Sequence, residues 1–302
     1  MDRPSEESVQ CSVFGVQIPV YTPYVTRHTF FFLLVALSGG CVSQVFAPAK
    51  VYPGKADAAA ALDALRQQAK AAVPFRANGQ CRIGFVVESG RTRKFNLPVN
   101  VWVNPPSEVY MQGLAPGGPQ GKVFLGTNER EFWLGIRPDI NTFWWGEWSK
   151  ASIAQDLPFS PRAVFESLGV AASDLGQADP NRWTLSSAAG QDVLTWTDAQ
   201  GRPAKRLFVE RRRYRITRIE YLDQAGHVVV GVEMKRYEQV AEGFSVPSRI
   251  SIVASAEGQR TQWAVLSLGS FLERTYNEQF RDRYFVRPEP VGFETVIEVD
   301  GQ

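Results

Sequence analysis

The sequence predicts an α+β domain built on one antiparallel sheet of about eleven strands, with two principal helices. Three observations carry this. Aromatic residues make up 12% of the 302 residues, and many stand in short runs of period two, the spacing of a half-buried strand. Gly, Asp and Asn punctuate those runs at hairpin spacing. Only two segments carry helical periodicity. The 44% apolar and 21% charged content excludes a disordered chain, and the length is enough to bury a sizeable core.

The first helix is expected over residues 57–73, where Leu62, Leu65, Ala69 and Val73 fall on one face. Asp57 caps it and Pro74 stops it. From Asn78 the period changes to two. Cys81, Ile83, Phe85 and Val87 share one face, as do Phe95, Leu97, Val99, Val101 and Val103. Residues 107–115, 121–127, 131–138 and 141–148 continue as a meander. A second helix follows over 160–170, with Ser160 as N-cap, Pro161 at the first helical position and Gly169 near the end. Further strands are expected at 183–188, 192–198, 206–223, 227–240, 244–255 and 261–274, with a last one after Phe285. Turn residues at 198–201, 223–226 and 256–258 separate them.

Chemistry-bearing residues are scarce. The net charge of +2 gives no electrostatic case for nucleic acid. Two His and three Cys show no zinc spacing, and there is no phosphate loop, dinucleotide fingerprint or nucleophile elbow. No catalytic residue, metal site or cofactor is therefore assigned. His227 follows Gly226 in a turn and is expected to be exposed. A hydrolase using a carboxylate pair stays open as an alternative. The cluster from Glu210 to Arg215 is expected on a strand, with Arg211, Arg213 and Arg215 on one face and Glu220, Glu233 or Glu238 as partners. It reads as a solvated charged face or as a site for an anionic headgroup or phosphate. The run 143–148 (FWWGEW) reads as an aromatic strand under a helix, or as a stacking platform or lipid-contacting rim.

The one continuous apolar run, residues 30–37, is too short for a bilayer span of about 20 residues and has the length of a signal-peptide core. Arg27 and His28 precede it, and Ser38-Gly39-Gly40-Cys41 follows. This resembles a bacterial lipobox, with Leu37 one position further out than usual. The resemblance implies cleavage before Cys41 and its lipidation. Residues 1–40 are then a signal peptide, within which the polar 1–24 is an extension from a misassigned start and Val25 the initiator. Residues 41–56 are the lipidated Cys and a tether, and 57–299 a single domain. Cys81 is left as a buried strand residue. By the same resemblance, Val42 after the Cys leaves the outer membrane open as destination.

The order of parts resembles the LolA/LolB lipoprotein-carrier superfamily over about residues 57–299. Those parts are the lipobox, tether, Ala-rich helix, meander with the Gly/Pro-rich loop 113–121, crossing helix, further strands, and the C-terminal FVRP (285–288) and GFETVI (292–297). The resemblance implies a curved, incomplete antiparallel β-barrel with helices covering its open concave side, and an apolar cavity for acyl chains. Strand phase nominates Phe85, Val101, Met111, Phe124, Trp133 and Trp144 for the cavity wall. Leu114 stands where the family's receptor branch carries a membrane-inserting Leu. The implied protein is a monomeric, non-catalytic envelope lipoprotein, anchored in the outer membrane and facing the periplasm, whose partners are the membrane and acyl chains of lipid or lipoprotein. The alternative is a structural or interaction lipoprotein with a filled core.

Overall fold

The computed structural model describes residues 52–86, 91–114, 122–137, 140–149, 157, 160–169, 179–254 and 262–299. Cys41, the signal segment and most of the tether lie outside them, as does the loop 115–121.

Fourteen strands form one curved sheet. The first six are β1 (Phe75–Val86), β2 (Thr92–Asn104), β3 (Glu108–Leu114), β4 (Lys122–Thr127), β5 (Glu131–Ile136) and β6 (Thr142–Glu147). The next seven are β7 (Trp183–Ala188), β8 (Gln191–Thr197), β9 (Pro203–Glu210), β10 (Arg215–Leu222), β11 (Val228–Ala241), β12 (Phe244–Ala254) and β13 (Gln262–Glu273). Each set is a sequential meander, and the two join where β1 pairs with β13. The short β14 (Thr295–Glu298) lies parallel to β6, and every other neighbouring pair is antiparallel. The sheet does not close, because β14 and β7 are its two edges.

The described residues hold more strands than the expected eleven or so, and the run 206–223, expected as one strand, is cut in two by a tight turn at 211–214. Within β2, Pro98 pairs only toward β1, since the β3 pairing begins at Val99. A residue with no N–H to donate is tolerated there.

Alternation sorts the side chains onto two faces. One carries the main core, with Ile83, Val101, Met111, Leu125, Leu134, Leu207, Ile219, Val232 and Ile250 almost wholly buried. Helices α1 (Ala58–Lys70) and α2 (Pro161–Ser167) contribute Ala61, Leu62, Leu65, Ala163, Val164 and Phe165 to it. The other face carries a small aromatic cluster of Phe124, Trp133 and Phe143, flanked by Tyr110, Trp145 and Phe293. Glycines make room for it: Gly126 pairs across from Trp133, and a Cβ there would sit 2.1 Å from the indole. A third helix, α3 (Glu278–Tyr284), was not expected from periodicity and packs on this second face. Its Tyr284 stacks on Trp102 at 5.3 Å.

Candidate functional site

A cavity of about 170 Å³ lies between α1, α2 and the strands β9 to β12. Each wall follows from local sequence. Asp57 accepts the Ala60 N–H at 2.8 Å and starts α1, whose apolar stripe then faces the sheet. At the far end of that helix Gln68 donates to the carbonyls of Arg213 and Tyr214, at 2.8 and 3.1 Å, bolting it to the β9–β10 turn. Ser160 caps α2 by accepting the Ala163 N–H at 3.3 Å, and Gly169 ends it at φ +78°, a conformation glycine adopts without strain. Leu65, Leu207, Ile219, Met234 and Phe244 form the apolar floor. Gln68, Lys205, Arg213, Arg215 and Ser245 supply a polar side.

Glu166 of α2 is buried against the sheet. It accepts the Tyr221 hydroxyl at 2.7 Å and pairs with Lys205, with Arg162 at 3.8 Å. The Lys205 ammonium also lies over the Tyr221 ring. This cluster ties α2 to β9 and β10 at one wall of the cavity.

The arginine cluster corrects the expectation of a continuous strand. Residues 211–214 form a turn, with Tyr214 at φ +56°. Glu210 accepts the N–H groups of Arg212 and Arg213, at 2.8 and 3.1 Å, which favours the bend over continued extension. Arg211 then reaches back to Asp192 of β8, Nε to Oδ1 at 2.8 Å, rather than to any of the three expected glutamates. Glu220 pairs with Arg206 and Arg218, and Glu233 with Lys235. Asp192 also accepts the Lys55 N–H at 2.9 Å and the Tyr214 hydroxyl at 3.1 Å. Burial pushes its carboxyl upward, but the bonds from Lys55, Arg211 and Tyr214 outweigh this and hold it below its ordinary value. Arg215 is half-buried, with Nη2 donating to Ser245 at 2.9 Å and the guanidinium 5.0 Å from the centre of the Tyr237 ring.

The six nominated wall residues are all buried, but they divide between the two faces. Phe85, Val101, Met111 and Trp144 belong to the main core, whereas Phe124 and Trp133 belong to the aromatic cluster opposite. Opposite parity on β4 and β5 separates them, since Leu125 and Leu134 take the core side. None of the six lines the cavity under the helices. Leu114 ends β3, and the loop it leads into lies outside the described residues. The run 143–148 packs as a strand near a helix: Trp148 lies 6.1 Å from Phe165 of α2 and 4.7 Å from Phe132. His227 is exposed in its turn. Cys81 is buried, and desolvation pushes its thiol up to about 12, as expected of a packing residue rather than a nucleophile.

The cavity residues on β9 to β12 escaped the sequence reading. The available signal was the run Glu210-Arg211-Arg212-Arg213, four polar residues between two alternating stretches, which marks a turn better than a strand. A second, polar cavity of about 660 Å³ lies beside the cis Pro105-Pro106 bond, where Arg281 is paired bidentately with Glu108 at 2.7 and 3.1 Å. Among the described residues no group of three or more His, Cys, Asp or Glu is placed to hold a metal ion.

No family model matches the sequence, and no curated protein matches it. Several solved structures are similar in fold. A DUF1329 family protein from Desulfovibrio piger matches at 13% identity and TM-score 0.48, over 76% of this chain and 97% of that one. A LolA superfamily protein from Nitrosomonas europaea matches at 15% identity and TM-score 0.44, over 74% and 97%. A domain from Vibrio parahaemolyticus described as an outer membrane lipoprotein-sorting protein matches at 13% identity and TM-score 0.44, over 74% and 96%. All three are likenesses of fold at low sequence identity.

Proposed function

We propose that this chain is a monomeric envelope lipoprotein, anchored through Cys41 in the outer membrane, that binds an acyl chain of a lipid or lipoprotein without catalysis. Residues 1–40 are its signal peptide, 41–56 its anchor and tether, and 57–299 its binding domain. The observation that carries the proposal is the apolar-floored cavity between α1, α2 and β9 to β12. A dry apolar cavity of roughly 150 Å³ accepts a benzene-sized guest. The 170 Å³ here therefore takes the end of a chain as it stands. A longer chain displaces α1, which buries only Ala61, Leu62 and Leu65.

A second reading has its own support. Beneath β1 to β6 the side chains of Phe85, Val101 and Met111 are almost wholly buried, as a filled core requires. The same fold then acts through its surface in envelope assembly. Nothing comparable favours a hydrolase, whose acid needs a carboxyl poised to stay protonated. Asp192 is held the other way, and Glu166 and Glu220 are each engaged by cations.

Native mass spectrometry of the full chain carrying Cys41→Ser, expressed in a bacterial envelope, separates the two readings. Co-purified lipid that disappears in Met234→Trp, which fills the cavity floor, is the expected result. Protein free of lipid in both forms sinks the carrier reading and leaves the filled-core one.

A further inference from the structure

We infer that the cavity selects an amphiphile with a negatively charged head, and that Arg215 and Arg213 are its headgroup contacts; this rests on the acyl-chain reading of the same cavity. The lining is divided by polarity. Leu65, Leu207, Ile219, Met234 and Phe244 accept only apolar atoms. Beside them stand three cations, Lys205, Arg213 and Arg215, and one carboxylate, Glu166. That carboxylate is already taken by Lys205 and the Tyr221 hydroxyl. Both arginines are left without an anionic partner among the described residues.

Arg215 is the sharper case. It is half-buried and held in place by Ser245 and the Tyr237 ring, and Tyr237 is itself fixed by donating its hydroxyl to the Ile216 carbonyl. All of its partners are neutral. Glu210 stands opposite Arg215 on β9, but its two oxygens turn to the N–H groups of Arg212 and Arg213, closing the turn, and it forms no direct ion pair with the Arg215 guanidinium. Some half-buried arginines of this protein are answered by carboxylates, Arg211 by Asp192 and Arg287 by Glu131, whereas Arg76 and Arg137 rest, like Arg215, on neutral oxygens and a ring; of these three, Arg215 is the one that lines the cavity. A half-buried guanidinium with no direct ion pair keeps unused charge-assisted bonding capacity, and a phosphate or carboxylate supplies the bidentate partner that its planar fork suits. Arg213 is exposed at the same rim, where a second contact to one head is geometrically natural. The floor beneath requires the rest of the ligand to be apolar. Free phosphate would satisfy the rim alone, so the chemistry shared by both sources is an anionic oxygen group, and the apolar floor decides for the amphiphile.

The test uses the full chain carrying Cys41→Ser, with binding measured by calorimetry below the micelle concentration of each probe. The probes are lauryl phosphate, lauryl alcohol and inorganic phosphate. Lauryl phosphate is expected to bind at least tenfold tighter than the alcohol, and inorganic phosphate to bind far more weakly than either. Arg215→Gln is expected to lose roughly tenfold for lauryl phosphate and nothing for the alcohol, the size of one charge-assisted hydrogen bond. Arg215→Lys retains most of the preference, and Arg213→Gln, which keeps the backbone bonds of the turn and changes only an exposed side chain, loses part of it. Met234→Trp weakens both lauryl probes. Equal binding of both lauryl probes with Arg215→Gln and Arg213→Gln inert overturns the headgroup inference and leaves the acyl-chain reading standing. Inorganic phosphate bound as tightly as lauryl phosphate overturns the amphiphile in favour of a free anion. Binding of neither lauryl probe by the parent chain overturns the acyl-chain reading and this inference with it.

Discussion

At the scale of single residues, Asp192 holds more together than any other group described here. It joins the chain just before α1, through Lys55, to β8 and to the arginine turn. Replacing it with Ala strands the half-buried Arg211 guanidinium and should destabilise the fold by about 2–3 kcal/mol, visible as a lowered urea midpoint with unchanged slope. Its depressed carboxyl also sets a direction with pH. The stabilisation is fully present above the ordinary carboxylate range and is lost as pH falls through the lowered native value. Asp192→Asn should therefore flatten the acid limb of the stability profile; an acid limb identical to that of the parent would refute this. Nothing in the sequence pointed to Asp192, because its partners come from positions 55, 211 and 214. Cys81, by contrast, was legible from strand phase alone, since its neighbours at Ile83 and Phe85 share its face and its burial.

At the scale of elements, periodicity read the helices α1 and α2 and their caps correctly, because Asp57 and Ser160 act on groups three residues away. It also read most strands. It failed where a choice of face was decided by glycine. The glycines Gly126 and Gly135 open the second face to Trp133 and Phe124, so aromatics assigned to one wall sit on both sides of the sheet. Gly126→Ala places a Cβ inside the Trp133 ring. The indole must leave its packed position, and the expected loss is about 1–3 kcal/mol, with a changed near-ultraviolet dichroism from the displaced Trp. A spectrum and melting curve indistinguishable from the parent would show that the cluster adapts freely. The arginine turn escaped for a related reason: a side chain, Glu210, rather than a glycine or proline, bends the backbone there.

At the scale of the molecule, the segment after β13 acts as a cover. Tyr284 rests on Trp102, Phe293 lies 6.0 and 5.4 Å from Phe124 and Phe143, and β14 occupies the edge of β6. A chain ending at Arg274 bares those rings and that edge together. It is expected to bind an apolar dye strongly and to elute as higher assemblies in size-exclusion chromatography. A truncated chain that stays monomeric and dye-free would show that the outer face needs no cover. The junction of the two meanders has a different consequence, one of timing. Other antiparallel pairings join consecutive strands, but β1 sets Phe75 opposite Glu273, nearly the full length of the domain away. Such a pairing bears the largest loop-closure entropy in the sheet. During synthesis the hairpins can form as each emerges, yet the outer edge of β1 waits bare until the chain beyond residue 262 exists. The seam between β1 and β13 thus zips after the hairpins on either side of it.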